Sequence, residues 1–291
     1  MDFIIFILKR LQNILRVDRK KQPQISFVVP FRPDTPRRQE ILNWIRKFYR
    51  SHFPKAEFII GFSNSYVFCK TEAFNNAVRR AKGKVIVLLD ADAIMNPETI
   101  QFCTDRILEE MDNHLWYVPY RRLYRLDEDA TQMVLDQDPK TFDVTMLMDP
   151  PPPDWIDEMH IGKKGYGHRY GAMMMIMPRE AIERLGCFDE RFVGWGGEDV
   201  AILRAIDTLY GKHKTIDGPI YHLSHPKIGQ KYNERKWENQ DKALQNSNLA
   251  LRYHRATGKP SEMQALVDEG CDYRDKHPYV NYEISRFPNE E

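Results

Sequence analysis

Along the first third of the chain, apolar positions switch between two periods. Short continuous runs rich in β-branched residues predict strands at Ile25–Phe31 (I-S-F-V-V-P-F), Glu57–Gly61 and Lys84–Leu89 (K-V-I-V-L-L). Between them, apolar residues recur at helical spacing. Ile41, Trp44, Ile45 and Phe48 form one face of a helix over Arg37–Ser51, and Ala73, Phe74, Ala77 and Val78 one face of Thr71–Ala81. Strand alternating with helix predicts an α/β fold with a mainly parallel central sheet flanked by helices, which binds ligands at the carboxyl ends of its strands. Pro97 opens a further helix through Met111, and Trp116–Pro119 reads as a strand. Tyr120–Lys140 is highly charged and shows no clear period. Asp149–Asp154 contains four consecutive prolines and reads as a stiff polyproline-type spacer. Ala172–Met177 is a methionine-rich core strand rather than a metal-binding array. Pro178 and Arg179 open a helix ending near Gly186, and another starts at Glu198, with Ile202, Ala205 and Ile206 inward. Gly218–Tyr221 leads as a short strand into His222-Leu223-Ser224-His225. Lys236–Arg255 is a polar helix. The tail from Gly258 to Glu291 is charged and aromatic, without a catalytic pattern.

With 291 residues, 42% hydrophobic and 29% charged, the chain has the length and composition of a globular α/β protein. A net charge of +1 supplies no global field for nucleic acid. Cys69, Cys103, Cys187 and Cys271 are scattered and contain no CxxC, so neither a zinc pattern nor a disulfide framework is expected. This usage points to the cytoplasm. The first 21 residues differ from the rest. Phe3–Leu8 is apolar, Leu11, Ile14, Leu15 and Val17 continue at helical spacing, and Lys9, Arg10, Arg16, Arg19, Lys20 and Lys21 add charge. The run is too short to span a bilayer, and it lacks the charged start and cleavage site of a signal peptide. A basic amphipathic helix lying on a membrane surface and a helix packed on the body or on a second subunit fit equally well.

Candidate chemistry gathers in three places. Asp90-Ala91-Asp92 sits at the carboxyl end of the third predicted strand, where two carboxylates one residue apart can share a hard divalent cation and a diphosphate. Phe192–Leu203 reads F-V-G-W-G-G-E-D-V-A-I-L. Gly194, Gly196 and Gly197 permit close backbone approach, Trp195 offers an indole platform for a sugar face, and Glu198 and Asp199 begin a helix. His222 and His225 are spaced to face one ion through a turn, with the Asp90–Asp92 pair as carboxylate partners. Gly162–Gly171, rich in glycine, lysine and aromatics, reads as a loop beside a site or as an ordinary surface connection.

Together these segments resemble the GT-A fold, metal-dependent glycosyltransferases. The N-terminal half is similar to family two, and the C-terminal half most closely resembles the β-1,4-galactosyltransferase group. Val29-Pro30-Phe31-Arg32 looks like that group's first-strand P-F-R. Phe68-Cys69-Lys70 through Asn75 is similar to its F-N-R…N helix, with Lys70 in place of arginine. Asp90-Ala91-Asp92 matches D-x-D, and Tyr170 through Asp199 resembles the block that ends in G-W-G-G-E-D. His222-x-x-His225 falls where the family has M-x-x-H. The resemblance covers Ile25–Asn233. Lys70 offers charge without a guanidinium fork, and His222 in place of methionine makes a harder, nitrogen-rich metal site.

The resemblance implies transfer of a hexose from a UDP-sugar to an acceptor hydroxyl, with inversion. Asp92, His225 and His222 would hold Mn²⁺ or Mg²⁺. Pro30, Phe31, Arg32, Lys70, Asn75 and Asp90 would border the donor nucleotide. Asp199 would be the general base, with Glu198 hydrogen-bonded to the acceptor. Trp195, Tyr170, Gly196 and Gly197 would contact the sugars. Two rivals stand beside this reading: a nucleotide-sugar-binding protein without turnover, and a metal-dependent nucleotidyltransferase, which the lack of a glycine-rich triphosphate loop after the first strand disfavours. The expected partners are a nucleotide-sugar donor and a glycan or other hydroxyl acceptor, lipid-linked or otherwise. A nucleic-acid acceptor is a further option, and residues 1–21 would serve peripheral membrane contact or self-association. The expected organisation is an N-terminal helix over 1–22, a single GT-A domain over 23–240 and a C-terminal extension over 241–291. Within the domain, 23–118 form the nucleotide-sugar half and 119–240 the acceptor half.

Overall fold

A computed structural model describes residues 23–65, 68–157, 172–194, 196–226 and 236–276. The expected N-terminal helix, the Gly162–Gly171 loop, Tyr170 and Trp195 lie outside the described residues.

The first three predicted strands form as β1 (Ile25–Pro30), β2 (Glu57–Gly61) and β3 (Val85–Leu89), with helices α1 (Pro36–His52) and α2 (Lys70–Val78) between them. Thr35 caps α1 by accepting the Arg38 amide proton at 3.2 Å, and Pro36 supplies a first-turn φ at no hydrogen-bond cost. The buried face of α1 meets β1 through Phe27, whose ring stacks on Tyr49 at 5.3 Å. Helix α2 packs on β1 and β2 so closely that a Cβ at Gly61 would lie 1.8 Å from the Ala73 carbonyl oxygen, so only glycine fits there. The next elements are β4 (Ala93–Ile94), α3 (Pro97–Glu109), β5 (Tyr117–Val118), β6 (Arg122–Arg125) and α4 (Glu128–Leu135). They are followed by β7 (Met174–Pro178), α5 (Arg179–Glu183), α6 (Glu198–Leu209), β8 (Lys214–Thr215) and β9 (Pro219–His222). Two long helices close the described chain, α7 (Lys236–Ala256) and α8 (Pro260–Lys276).

The larger sheet has the order β2-β1-β3-β7-β5-β8. Its β2-β1, β1-β3 and β5-β8 pairs are parallel, whereas β7 runs antiparallel to both neighbours. The fold is therefore mixed α/β, a single domain with a mostly parallel central sheet and flanking helices. The methionine run is core: Met174, Ile176 and Met177 are wholly buried. A second, three-stranded sheet, β4-β9-β6, sits at the carboxyl end of β3.

Three segments depart from their sequence patterns. Tyr120–Lys140 contains β6 and α4, whose apolar positions are few and flanked by charge. The expected straight polyproline spacer has a cis Asp149–Pro150 bond and a 3₁₀ turn at Pro153–Trp155, held by Arg122 on Asp149 at 2.7 Å. The tail contains α8, which buries Met263, Leu266 and Val267 against α6 and α7. Residue 240 falls inside α7. No helix among the described residues is long and apolar enough to cross a membrane.

Candidate active site

β3 delivers the first group. Its buried run V-I-V-L-L ends at Leu89, and the chain turns at once through Asp90 and Asp92 into β4. β4 pairs with β9 so that Ala93 lies opposite His222, and the Leu223 amide donates to the Asp92 carbonyl at 2.8 Å. These bonds bring His222 to Asp92 from 130 residues further along the chain. The turn to His225 is held by the buried Thr131 hydroxyl, which accepts the Ser224 amide proton at 2.7 Å. As a result His225 Nε2 lies 3.0 Å and His222 Nε2 3.8 Å from Asp92 Oδ2. One ligand atom from each residue falls within 4.8 Å of the others.

The side chains of this cluster are only 13–18% exposed. Burial works against the Asp92 charge, yet the two imidazoles outweigh it and hold its carboxyl far below the usual carboxylate range. Burial lowers His222 to about 4, leaving a neutral imidazole with a lone pair to offer. Burial also opposes charge on His225, but the hydrogen bond and charge of Asp92 prevail and raise its pKa. One carboxylate oxygen and two imidazole nitrogens form a donor set suited to a divalent transition metal. Sequence reasoning missed two cations that act on this cluster. Arg38 stands in the first turn of α1, and Arg125 is the register partner of His222 on β6. Neither lies in a recognisable motif; only the strand pairing shows that they belong here.

The second group centres on Lys70, at the start of α2. Its Nζ lies 2.7 Å from Asp90 Oδ1 and 3.6 Å from Glu198 Oε1. Burial would lower its pKa, but Asp90, then Glu198 and Asp199, outweigh burial and raise it, so the ammonium is firmly charged. Glu198 is buried and accepts the Gly196 amide proton at 3.2 Å. Burial raises its pKa, with Lys70 pulling the other way. Asp199 is half-buried; Oδ2 accepts from the Ala172 amide at 2.9 Å and Oδ1 from the Val200 amide at 2.7 Å. Both carboxylates occupy the first turn of α6, whose N-cap is Gly197 at φ 92°, a conformation that favours glycine. Gly196, at φ 106°, has open space where a Cβ would stand.

The remaining expected donor residues divide. Pro30 ends β1 buried, and Phe31 is 2% exposed with its ring edge-on to Phe62 at 6.5 Å. Arg32 is half-buried in the loop that follows β1. Asn75 is committed to the segment that precedes the glycine-rich turn. It is fully buried, donates to the Phe188 carbonyl at 2.9 Å and to Glu190 at 2.6 Å, and accepts the Phe188 amide proton. The next polar residue on α2 toward the site is Glu72, unremarked in the sequence. It accepts from the Ser63 and Ser65 hydroxyls and the Asn64 amide, shaping the loop after β2.

A mostly parallel α/β sheet thus carries a carboxylate–histidine cluster and a lysine–carboxylate cluster at its carboxyl edge. Residues 38–186, just over half of the chain, match the model of glycosyl transferase family 2, and the protein belongs to that family. No curated protein matches the sequence. Among solved structures, the chain is similar to the catalytic domain of Drosophila β1,4-galactosyltransferase 7 in complex with xylobiose (14% identity, 73% of this chain and 79% of that one, TM-score 0.37). It is also similar to glucosyl-3-phosphoglycerate synthase from Mycobacterium tuberculosis with Mn²⁺, UDP-glucose and phosphoglyceric acid (12% identity, 80% and 82%, TM-score 0.41). A third likeness is to GalNAc-T7 with UDP, GalNAc and Mn²⁺ (16% identity, 89% and 55%, TM-score 0.46). At these identities the likeness is one of chain course.

Proposed function

We propose that the protein transfers a hexose from a UDP-sugar to an acceptor hydroxyl with inversion, using Mn²⁺ or Mg²⁺ held by Asp92, His222 and His225. The observation that carries this reading is the convergence of those three side chains on one point, next to the Lys70–Asp90 pair, at the carboxyl edge of a family-two sheet. When bound, the cation would offset negative charge that develops on the departing diphosphate. Lys70, Arg32 and Arg38 add fixed positive charge on the donor side. Asp199 is the proposed general base. Each of its oxygens already accepts one backbone N–H, which fixes the carboxylate and still leaves a lone pair to take the acceptor proton. Glu198, held beside Lys70 and by the Gly196 amide, is the proposed hydrogen-bond partner of the acceptor hydroxyl. Trp195 and Tyr170 form the proposed sugar-contacting walls, with Gly196 and Gly197 giving the backbone access. The resemblance of the G-W-G-G-E-D block to the β-1,4-galactosyltransferase group supports a hexose donor, and the basic amphipathic pattern of residues 1–21 supports a glycan acceptor, lipid-linked or free. Action in the cytoplasm, with residues 1–21 against a membrane, completes the proposal.

The test is release of UDP from a panel of UDP-sugars in Mn²⁺, with Asp199→Asn and Asp92→Ala beside the wild type. The reading expects release from one donor, lost in both variants, with UDP binding retained by Asp199→Asn. Release that survives Asp92→Ala and chelation would sink it.

A further inference from the structure

Phe192-Val193-Gly194 runs directly into the Trp195–Asp199 stretch, and it is clamped from two sides. On one side lies the start of α2. The Thr71 hydroxyl and the Cys69 thiol both donate to the Phe192 carbonyl, at 3.2 and 3.3 Å, and Cys69 bridges Gly194 in parallel. On the other side lies α7, outside the family-two match. There Asn246, 3% exposed, meets both backbone polar groups of Val193. Its Oδ1 accepts the Val193 amide proton at 3.3 Å, and its Nδ2 donates to the Val193 carbonyl at 3.0 Å.

A buried amide is costly unless bonded, and this position otherwise belongs to an apolar face that includes Leu249 and Tyr253. Asparagine there acts as a strand edge, giving Val193 the pair of bonds a neighbouring strand would give. The same helix fixes the next turn. A Cβ at Gly197 would lie 3.0 Å from Ala250 Cβ and 3.5 Å from the Asn246 carbonyl oxygen, so α7 rests directly against the N-cap that presents Glu198 and Asp199. The helix is itself anchored to the preceding turn. Tyr253 donates to Asp189 at 2.9 Å, and Glu269 of α8 accepts from Arg191 and from Arg252, each at 2.7 Å.

We infer that Asn246 is a positioning residue of the transferase: the C-terminal helices complete the active site by setting the backbone of the segment that carries Glu198 and Asp199. The functional consequence rests on the glycosyltransferase reading; the positioning itself does not. Asp92 stands just before β4, His222 ends β9 with His225 three residues on, and Lys70 opens α2, so donor binding should outlast loss of the Asn246 bonds while turnover does not.

Asn246→Leu removes both bonds and keeps an apolar filling for the site. Leu249→Ala, one turn along the same face, weakens the packing of α7 and removes neither Val193 bond. Both are compared with wild type in melting temperature, Mn²⁺-dependent UDP affinity, kcat for UDP-sugar turnover and amide exchange over residues 193–200. Asn246→Leu is expected to lower kcat by about tenfold or more, with UDP affinity within about threefold of wild type. Its amides at 193–200 should exchange about tenfold faster, while those of β1 and β3 do not change. Leu249→Ala should lower the melting temperature with kcat within about twofold. Unchanged kcat in Asn246→Leu, or kcat falling in step with melting temperature in both variants, would overturn the inference. A wild type that neither binds UDP nor turns over any UDP-sugar would defeat the functional reading instead. Amide exchange then decides the positioning on its own: unchanged exchange at 193–200 refutes it.

Discussion

Lys70→Met puts the charge arrangement under the most strain. In the native protein one ammonium stands 2.7 Å from Asp90 and 3.6 Å from Glu198, and the three side chains are 20, 18 and 9% exposed. Methionine keeps most of the aliphatic stem and removes the ammonium, and with it the contact of Nζ with the Phe74 ring at 5.7 Å. Two acids are then left facing each other with little water. Removing one partner of a buried pair costs about 3–5 kcal/mol, and the partial exposure here places the expected loss at the lower end, about 3 kcal/mol. At about 2–4 °C per kcal/mol, the melting temperature should fall by about 6–12 °C at pH 8. The pH dependence has a definite sign. Without Lys70, burial and mutual repulsion raise both carboxyl pKa values above their unfolded values. The folded state then binds more protons than the unfolded state, so stability falls as pH rises from about 4 through the raised values. The deficit should therefore be largest at pH 8 and shrink toward pH 5. Thermal unfolding followed by circular dichroism at both pH values measures it, and adding Asp90→Asn should restore part of the loss. A variant that melts within about 2 °C of wild type at pH 8, or a deficit that grows on acidification, would refute the reasoning.

Two further substitutions probe the frame of the site. Tyr49 is fully buried; its hydroxyl donates to the Ala93 carbonyl at 3.2 Å and accepts from the Met95 amide at 3.1 Å, which ties α1 to β4 beside Asp92. Tyr49→Phe leaves two buried backbone groups unbonded and should cost about 1–3 kcal/mol in urea unfolding, whereas no measurable change would show that the strand holds itself. Glu190 is buried beneath the segment that leads to the site, and burial raises its pKa to about 6, with the Asn75 hydrogen bond opposing. A carboxyl raised in the folded state loses stability as pH rises through that value. Glu190→Gln, which keeps the acceptor oxygen, should therefore be more stable than wild type at pH 8 by about 1–2 kcal/mol, with the advantage gone near pH 4. An advantage that is the same at both pH values would contradict the assignment.

The sequence revealed most where one local signal sufficed. Apolar runs located β1, β2 and β3, and the acidic pair after two glycines placed the start of α6 at Glu198, where it lies. The methionine run was legible as core because nothing in it offered a ligand partner. Asp92, His222 and His225 were legible as a set only by pairing a strand-end motif with a histidine repeat, and the β4–β9 pairing supplies the reason they meet. Other features left no local trace. Lys70 was named through the F-C-K…N resemblance, but nothing local showed that α2 aims it between Asp90 and Glu198. Asn75 sits on the α2 face turned toward Phe188, a direction that helical spacing does not specify. Asn246 is one polar residue in a polar helix, and only tertiary packing shows that it is buried. β6 and α4 were hidden because charge flanks their few apolar positions. The apolar positions of α8 were hidden in a tail that reads as charged and aromatic.

In the proposed mechanism Asp92, His222 and His225 form a metal site on which UDP binding depends. The most direct measurement is calorimetric titration of UDP into the wild type and into Asp92→Ala, each with Mn²⁺ and with chelator. Binding in the wild type should require Mn²⁺ and weaken by at least about tenfold in Asp92→Ala. Binding of equal affinity in both proteins, or binding indifferent to Mn²⁺, would contradict it.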